Sequence, residues 1–276
     1  MDDPALLWED KRLGVIGAGN MAEALIRGVV GTELIAPGKI LACDPNPERR
    51  LVFQSIGCQV ADNPAAAAGM EVLLLSVKPQ MVRDVLGDIR DRVKPGTLII
   101  SIMAGVKSST IAGLLPGGMR IIRVMPNTPL LVGMGMAAVA KGVGAGGSDM
   151  QRVLALFEAA GRAIEVDESD MDAVTALSGS GPAYVFYFAE ALIAAGKSLG
   201  LPAGVSHILA INTLRGAASM LALKDGDPAD LRKKVTSPGG TTAAALDVFR
   251  EGDLFGLVEK ALAAAEKRGE ELGKNA

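Results

Sequence analysis

Leu13-Gly14-Val15-Ile16-Gly17-Ala18-Gly19-Asn20-Met21-Ala22 is the stretch that decides the fold of this 276-residue chain. It fits the pattern G-x-G-x-x-G/A, with Ala22 in the third place. Gly17 permits a tight turn after a buried strand, Gly19 lets a ligand approach the backbone, and Ala22 allows the helix to pack closely on the strand. The stretch therefore predicts a phosphate-binding turn for a dinucleotide. The alternative is a plain tight turn in a packed α/β unit.

Working outward, short apolar runs alternate with helical patterns, which is typical of a parallel sheet covered by helices on both faces. Strands are predicted at residues 13–16, 40–43, 72–77, 98–102, 121–125, 136–139 and 163–166. Helices are predicted at residues 21–30, 48–56, 81–92 and 149–160. Right-handed crossovers between such strands give a doubly wound α/β domain of the Rossmann type, which we place at residues 1–166.

The pattern changes after about residue 167, where strand signals stop and Ala-rich helical segments follow. Helices are predicted at residues 170–177, 182–199, 203–222, 228–234, 241–250 and 253–273. The segment Ala183-Tyr184-Val185-Phe186-Tyr187-Phe188 is apolar on more than one helical face, so its helix needs burial. We therefore predict that residues 167–276 form an all-α domain that supplies a subunit interface.

The composition argues against several classes of partner. The formal net charge is −3 and aromatic residues make up only 3% of the chain, which does not favour nucleic acid. No Lys/Arg block points to a membrane surface, and the most apolar run, residues 183–195, is too short to span a bilayer. The first ten residues carry no basic segment before an apolar one, so we expect a cytoplasmic protein without a signal peptide.

Familiar catalytic groups are scarce in this sequence. The single histidine, His207, lies in an apolar helical pattern and is interpreted as a packed or interface residue rather than as a base. Cys43 and Cys58 lack metal-ligand spacing and are interpreted as buried thiols. No cluster of His, Cys, Asp and Glu has the spacing of a metal site, so no metal is predicted.

Two Gly-rich turns in the helical half each lead into a predicted helix. They are Ser178-Gly179-Ser180-Gly181-Pro182, in which Ser180 is the predicted N-cap, and Thr236-Ser237-Pro238-Gly239-Gly240-Thr241-Thr242. The N–H groups and the positive dipole end of a helix N-terminus favour an anion, so both turns are candidate carboxylate sites. Ordinary capping by Ser and Thr is the alternative.

Several segments together resemble the pyrroline-5-carboxylate reductase family. The most specific is VTSPGGTT at residues 235–242, followed by LSGSGPAY at residues 177–184. The remaining segments are IGAGNM at 16–21, SVKP at 76–79, AGV at 104–106 and MPNTP at 125–129. The resemblance runs in order from about residue 12 to residue 272, and the glycine turn is its least specific part.

The resemblance implies an enzyme that reduces 1-pyrroline-5-carboxylate, a cyclic imine, to L-proline with hydride from NADPH or NADH. A protonated imine already carries the electrophilic charge, so this reaction needs positioning more than a strong protein base. Thr242 is implied as the catalytic hydroxyl beside the imine nitrogen. The implied substrate-binding residues are Glu168, Ser237, Gly239, Gly240, Thr241 and Thr242.

Cofactor binding is implied at the glycine turn and at the loops after the neighbouring strands. Asp44 follows the second strand, where an acid commonly binds the adenosine ribose and favours NADH. Arg49 and Arg50 lie just beyond and would suit the 2′-phosphate of NADPH, so the choice between the two cofactors stays open. The implied cofactor-binding residues are Ile16, Gly17, Ala18, Gly19, Asn20, Met21, Asp44, Asn46, Asn63, Ser76, Val77, Lys78, Pro79, Ile102, Met103 and Ala104.

Two features depart from the family pattern. Asp44 stands where members that prefer NADPH often carry a small hydroxyl residue. Arg232-Lys233-Lys234 replaces the more usual acid or neutral side chain before the substrate loop, and Lys234 is interpreted either as a contact to a cofactor phosphate or as a solvated residue. The resemblance also implies homodimers through the helical domain, with further assembly into a decamer.

Two other functions are compatible with parts of the sequence. A dehydrogenase of the β-hydroxyacid type would use a lysine base on a helix of the second domain, for which Lys197 is the candidate. A non-catalytic dinucleotide-binding protein would need no substrate loop, and the intact loop around Thr242 argues against it.

Overall fold

The computed structural model describes residues 4–223 and 225–274. The backbone forms two compact units. The first runs to Ser180 and takes in the chain again from Ala264, and the second is Gly181–Ala263. The domain boundary expected near residue 167 is the point where strand signals end in the sequence, whereas the two units are defined by their compactness. That boundary stays a prediction.

A mixed sheet of eight strands forms the centre of the first unit. The strands are β1 (Leu13–Ile16), β2 (Ile40–Cys43), β3 (Gln59–Ala61), β4 (Val72–Leu75), β5 (Leu98–Ser101), β6 (Arg120–Pro126), β7 (Gly135–Lys141) and β8 (Gly161–Val166). Their order is β3-β2-β1-β4-β5-β6-β7-β8. Ile16 pairs with Cys43 of β2 on one side and with Leu75 of β4 on the other, so the carboxyl ends of these strands are level. The order reverses at β1, which confirms the doubly wound prediction.

Helices cover both faces of this sheet, and the chain continues into an all-helical second unit. The helices are α1 (Asn20–Gly31), α2 (Pro47–Ser55), α3 (Val82–Ile89), α4 (Ser108–Leu114), α5 (Gly147–Glu158), α6 (Met171–Val174), α7 (Gly181–Ser198), α8 (Ala203–Leu221), α9 (Pro228–Lys234), α10 (Thr241–Glu251) and α11 (Leu254–Lys274). Successive residues of β4 enter opposite cores, because side chains alternate along a strand. Leu74 packs in the cluster that contains Phe53, whereas Leu73 and Leu75 pack with Leu86.

The apolar runs had suggested a fully parallel sheet, and that prediction is wrong at one strand. Strand β7 is antiparallel to β6, while every other neighbouring pair is parallel. A parallel pair needs a crossover of about a dozen residues or more, and the connection between β6 and β7 is only residues 127–134. This short connection leaves an antiparallel return as the available pairing.

The second unit exposes much of its apolar surface in the single chain. On α7, Phe186 is 62% exposed and Tyr187 is 75% exposed. The same holds for Ile208 on α8 and for Phe255 on α11. This confirms that the helix predicted at 182–199 carries apolar side chains that its own unit does not bury.

Candidate functional site

The turn between β1 and α1 has the local geometry that a pyrophosphate requires. Gly17 has a φ of +93°, and a Cβ at this position would clash with the carbonyl oxygen of Ser76, so glycine is required. A Cβ on Gly19 would meet no heavy atom within 4 Å, which leaves its surface open to a ligand. Gly19 is also the N-cap of α1, and no side chain caps that helix. The first N–H groups of α1 are therefore available to an anion.

The Asp44 carboxylate holds the glycine turn from the end of β2. Its Oδ2 accepts a hydrogen bond from the N–H of Ala18 at 2.8 Å. Its Oδ1 accepts one from the N–H of Asn46 at 2.9 Å. The residue expected to read the adenosine ribose thus also fixes the backbone of the phosphate turn.

Two arginines tie α2 to the same turn. Arg49 donates from Nε to the carbonyl oxygen of Ala18 at 2.5 Å and pairs through Nη2 with Glu23 at 2.7 Å. Burial raises the pKa of Glu23, but hydrogen bonds from arginine outweigh it and leave that pKa below its ordinary value. Arg50 donates from Nη1 to the carbonyl oxygen of Asp44 at 2.8 Å. Positive charge is therefore concentrated beside the side chain that would meet the ribose.

Asn46 and Asn63 both cap short helical segments. The side chain of Asn46 accepts from the N–H of Glu48 at the start of α2, at 2.9 Å. The side chain of Asn63 accepts from the N–H of Ala65 at 2.8 Å. In both residues the amide nitrogen has no hydrogen-bond partner within the described part of the chain, and it remains able to donate to a ligand.

The other loops predicted to line the cofactor follow β4 and β5. The N–H of Ser76 donates to the carbonyl oxygen of Ile16 at 2.8 Å, and that of Ile102 donates to Leu75 at 3.1 Å. Lys78 is extended, with φ −66° and ψ 143°, as predicted for a residue before proline. One edge of the sheet therefore carries the predicted cofactor residues at 16–21, 44, 46, 63, 76–79 and 102–104.

In the second unit, the loop before α10 forms a second uncapped helix N-terminus. Gly239 has a φ of +69°, and the N–H of Gly240 donates to the carbonyl oxygen of Ser237 at 3.1 Å. Gly240 is the N-cap of α10, and it offers no side-chain cap. The hydroxyl of Thr242 has no hydrogen-bond partner among residues 4–223 and 225–274. The loop thus presents N–H groups and a hydroxyl that are suited to a carboxylate and to a second polar atom.

The basic residues before this loop have a structural explanation. Arg232, Lys233 and Lys234 form the last turn of α9, where positive charge complements the C-terminal end of the helix dipole. All three are exposed. Contact of Lys234 with a cofactor phosphate stays a prediction.

The prediction that Ser180 caps a helix is wrong. A π-helical turn covers Thr175–Gly179, and Ser180 has helical angles, with φ −86° and ψ −18°. Its N–H donates to the carbonyl oxygen of Thr175 at 2.8 Å, whereas an N-cap residue has extended backbone and leaves such donors unpaired. Asn127 holds the turn by donating from Nδ2 to the carbonyl oxygen of Ser178 at 3.3 Å. The Ser180 N–H is therefore not one of the backbone donors that the sequence had suggested for this segment.

Glu168 lies in a network of buried and half-buried polar groups in the first unit. Its Oε1 accepts from the N–H of Ser108 at 2.7 Å, and its Oε2 accepts from the Ser108 hydroxyl at 2.6 Å. Its Oε1 also lies 3.3 Å from Nη1 of Arg123. The Arg123 side chain is only 4% exposed, against 28% for Glu168. Glu168 thus neutralises a buried cation, and its predicted contact with substrate stays a prediction.

A cleft of about 700 Å³ adjoins this network. One oxygen of Asp172, Oδ1, is buried without a hydrogen-bond partner among the residues that the structure describes. An unpaired buried carboxylate oxygen in a polar cleft indicates a place for water or for a ligand that donates a hydrogen bond. The cleft is lined by Gly105, Lys107, Arg123, Glu168, Ser169, Asp172, Glu270 and Gly273.

Ser108 and Arg123, which both contact Glu168, were not predicted from the sequence. Helix α4, which Ser108 begins, has seven residues and is too short to show a clear period. Arg123 did leave a signal, because it interrupts an apolar run predicted to be a buried strand. A cation in such a strand requires an acidic partner, although the sequence alone does not identify which acid provides it.

The remaining reactive side chains do not form a second candidate centre. Burial raises the pKa of Cys43 and of Cys58 to about 11, so neither is a thiolate at neutral pH. His207 is exposed on α8. Within the described residues, no group of three or more His, Cys, Asp or Glu side chains could hold a metal ion. No helix in that part of the chain has the length and hydropathy to cross a membrane.

Comparison with known proteins gives a consistent result. A family model described as pyrroline-5-carboxylate reductase dimerisation matches residues 168–272, and one described as NADP oxidoreductase, coenzyme F420-dependent, matches residues 12–105. Mouse pyrroline-5-carboxylate reductase 3 is 37% identical over 98% of this chain and 99% of its own length.

Solved structures agree over nearly the full length. The pyrroline-5-carboxylate reductase of Coxiella burnetii has a TM-score of 0.89 and 33% identity, covering 95% of this chain and 98% of the other. The Plasmodium falciparum pyrroline carboxylate reductase with NADP bound has a TM-score of 0.85 and 30% identity, covering 96% and 99%.

Proposed function

This chain belongs to the pyrroline-5-carboxylate reductase family, and on that premise we propose that it reduces 1-pyrroline-5-carboxylate to L-proline with hydride from NADPH or NADH. This reaction is the last step of proline biosynthesis. The observation that carries the proposal is the uncapped N-terminus of α10 together with the Thr242 hydroxyl, which is unpaired within the described part of the chain. A small ring that carries both a carboxylate and a nitrogen needs these two kinds of contact.

The glycine turn fits a nicotinamide dinucleotide because Gly19 is open to the outside and the start of α1 is uncapped. When bound, the reduced nicotinamide supplies a hydride. The turn at residues 16–21 would hold the pyrophosphate, chiefly through the N–H groups at the uncapped start of α1. Asp44, Asn46 and Asn63 would hold the adenosine ribose. Residues 76–79 and 102–104 would line the rest of the dinucleotide.

The substrate carboxylate would bind at the loop before α10. Ser237 and Thr241 supply hydroxyl donors, Gly239 and the first turn of α10 supply backbone donors, and Gly240 lets the carboxylate approach the helix end, where the dipole adds a favourable field. The Thr242 hydroxyl would hydrogen-bond the ring nitrogen, which orients the C=N bond. Such orientation contributes to the rate because the reactants are held near contact distance.

The reaction needs little acid–base help from the protein. Protonation of the imine nitrogen, before hydride arrives, makes the ring carbon electrophilic. The hydride then forms the new C–H bond, and the electron pair of the C=N π bond moves to nitrogen to give the secondary amine. The scarcity of histidine and the raised pKa of both cysteines are compatible with this chemistry.

Glu168 is proposed to contact the substrate from its cleft. Ser108 and Arg123 fix the orientation of its carboxylate, while 28% of the side chain remains exposed and accessible. A fixed carboxylate of this kind would stabilise the positive charge of a protonated imine or of the product amine.

Oligomer formation is supported by the match of residues 168–272 to a dimerisation model. We propose that the exposed apolar faces of α7 and α8 are buried in a homodimer and that the dimers assemble into a decamer in the cytoplasm. Light scattering coupled to size-exclusion chromatography measures the mass directly. A monomer at micromolar concentration would contradict the dimer, and a dimer alone would contradict the decamer.

The proposed activity is tested by paired initial-rate curves with NADPH and with NADH at fixed pyrroline-5-carboxylate. We expect cofactor oxidation that depends on the pyrroline and yields an equal amount of L-proline. A parallel assay offers NAD and 3-hydroxyisobutyrate, for which Lys197 would be the base. Faster turnover of the hydroxy acid, or no oxidation with the pyrroline, would contradict the proposal.

A further inference from the structure

The N-terminal edge of the sheet contains a pocket of about 230 Å³. Lys11 lies just before β1, Thr97 just before β5, and Arg120 begins β6. Because β1, β4, β5 and β6 are parallel, their amino ends lie at the edge opposite to the one that carries the glycine turn. The pocket is therefore separate from the dinucleotide site within the same unit.

The lining of this pocket is strongly basic in a chain whose net charge is −3. Lys11, Lys94, Arg120 and Arg152 line it, and Glu71 is the one acid among its lining residues. The acid is already engaged, because Oε1 of Glu71 pairs with Nη2 of Arg12 at 3.4 Å. We call the four basic residues the basic pocket.

Asp149, which is almost fully buried, is the counter-ion of both arginines. It pairs with Nη1 of Arg120, and its Oδ1 lies 3.5 Å from Nη1 of Arg152. One carboxylate therefore faces two guanidinium groups, and positive charge remains in excess. Burial lowers the pKa of Arg152, the neighbouring charge of Arg120 lowers it further, and Asp149 only partly opposes them.

Hydrogen-bond donors in the basic pocket also exceed the acceptors. Arg120 uses Nε and Nη2 on the carbonyl oxygen of Gly96 and Nη1 on Asp149. The Nε of Arg152 donates to the carbonyl oxygen of Leu7 at 2.8 Å. A guanidinium has five N–H donors, so at least two remain on each arginine. The ammonium groups of Lys11 and Lys94 have no partner among the residues that the structure describes.

We propose that the basic pocket binds the phosphate group of a small metabolite. Four cationic side chains line it, and together they suit the several oxygens of a multiply charged tetrahedral anion better than a single planar carboxylate. A multiply charged anion would also offset the excess positive charge around Asp149. This site stands apart from the proposed reductase activity, since none of its residues is assigned to cofactor or substrate.

The test is calorimetric titration with inorganic pyrophosphate as the probe, in the presence of saturating NADP⁺ so that the dinucleotide site is filled. We compare the native chain with Lys11→Gln/Lys94→Gln and with a charge-matched control at two exposed lysines of α11, Lys260→Gln/Lys267→Gln. We expect binding to the native chain and to the control. The Kd should rise about tenfold or more in the first variant, because two charge-assisted contacts are lost. Circular dichroism checks that each variant is folded.

A second arm replaces pyrophosphate with citrate at equal ionic strength. Weaker binding of citrate supports a phosphate site, and equal binding overturns that assignment. Absence of pyrophosphate binding to the native chain, or an equal Kd in both variants, overturns the proposal as a whole. None of these results depends on pyrroline-5-carboxylate turnover, so failure here is distinguishable from failure of the proposed function.

Discussion

The Asp44 carboxylate accepts a hydrogen bond of 2.8 Å from the backbone N–H of Ala18, in the middle of the glycine turn. One side chain therefore both braces the phosphate turn and stands where the adenosine ribose is expected. Asp44→Asn exchanges one acceptor oxygen for a donor and removes the charge beside Arg49 and Arg50. We expect the ratio of kcat/KM for NADPH over NADH to rise at least about fivefold, because repulsion of a 2′-phosphate is lost.

The same substitution should lower Tm by several degrees, since a charge-assisted hydrogen bond contributes on the order of 1.5–3 kcal/mol. Asp62→Asn is the matched control, because Asp62 is an exposed acid near the same edge of the sheet. An unchanged cofactor ratio in Asp44→Asn, or an equal change in the control, would show that Asp44 does not read the cofactor.

Substitutions at Gly17 and Gly19 should separate the effect of the turn on folding stability from its effect on cofactor binding. Gly19→Ala should leave Tm unchanged, because the added Cβ meets nothing within 4 Å, yet it should weaken NADPH binding about tenfold. Gly17→Ala should lower the free energy of unfolding by about 1–3 kcal/mol, since its φ of +93° is strained for alanine. Thermal unfolding and fluorescence titration measure the two effects.

Gly31→Ala, at the far end of α1, is the control, because its Cβ is equally unobstructed. If Gly19→Ala bound NADPH as tightly as this control, the pyrophosphate would not approach Gly19.

Thr242 is expected to act on turnover rather than on cofactor binding. Thr242→Val keeps the shape of the side chain and removes the hydroxyl, which should lower kcat about 100-fold while the Kd for NADPH stays within about twofold. Thr242→Ser should recover most of the activity. A collapse of NADPH affinity with kcat preserved at saturation would assign Thr242 to the cofactor instead.

Glu168 is predicted to stabilise the first unit as well as to serve the site. In Glu168→Gln the almost fully buried Arg123 loses its counter-charge, and the free energy of unfolding should fall by about 1–3 kcal/mol, a range reduced for the partial exposure of Glu168. Denaturant unfolding measures this, and Glu168→Gln/Arg123→Met should recover much of the loss. If Glu168→Gln had the same free energy of unfolding as the native chain, the ion pair with Arg123 would not contribute to stability.

Much of the fold could be predicted from the sequence, because the apolar runs and helical periodicities indicate the strands and helices, and their order indicates the sheet. The apolar runs gave β1, β2 and β4 at or near their observed bounds, and the helical periodicities gave α7 to α11. Strand β3 and helix α4 were missed, since three and seven residues are too few for a period to show. The reversed direction of β7 depends on loop length rather than on apolar pattern, so alternation alone could not reveal it.

The candidate site was predictable to a different degree in each unit. Glycine spacing identified the turn at Gly17 and Gly19, because glycines are required where the backbone has a positive φ or where a ligand approaches it closely. The loop before α10 was found through turn chemistry and family resemblance. The contacts of Glu168 were not foreseeable, since they join residues 45 and 60 positions apart in the chain. Ser180 failed as a cap because a π-helical turn uses the N–H that a cap would leave unpaired.

The most direct test of the central claim is the fate of the transferred hydrogen. NADPH or NADH carrying deuterium on the transferred position of nicotinamide C4 is incubated with the chain and pyrroline-5-carboxylate, and the product is analysed by NMR and mass spectrometry. The proposed function predicts L-proline with one deuterium at C5, formed in equal amount to the oxidised cofactor. Proline without deuterium, or cofactor oxidation without proline, would contradict it.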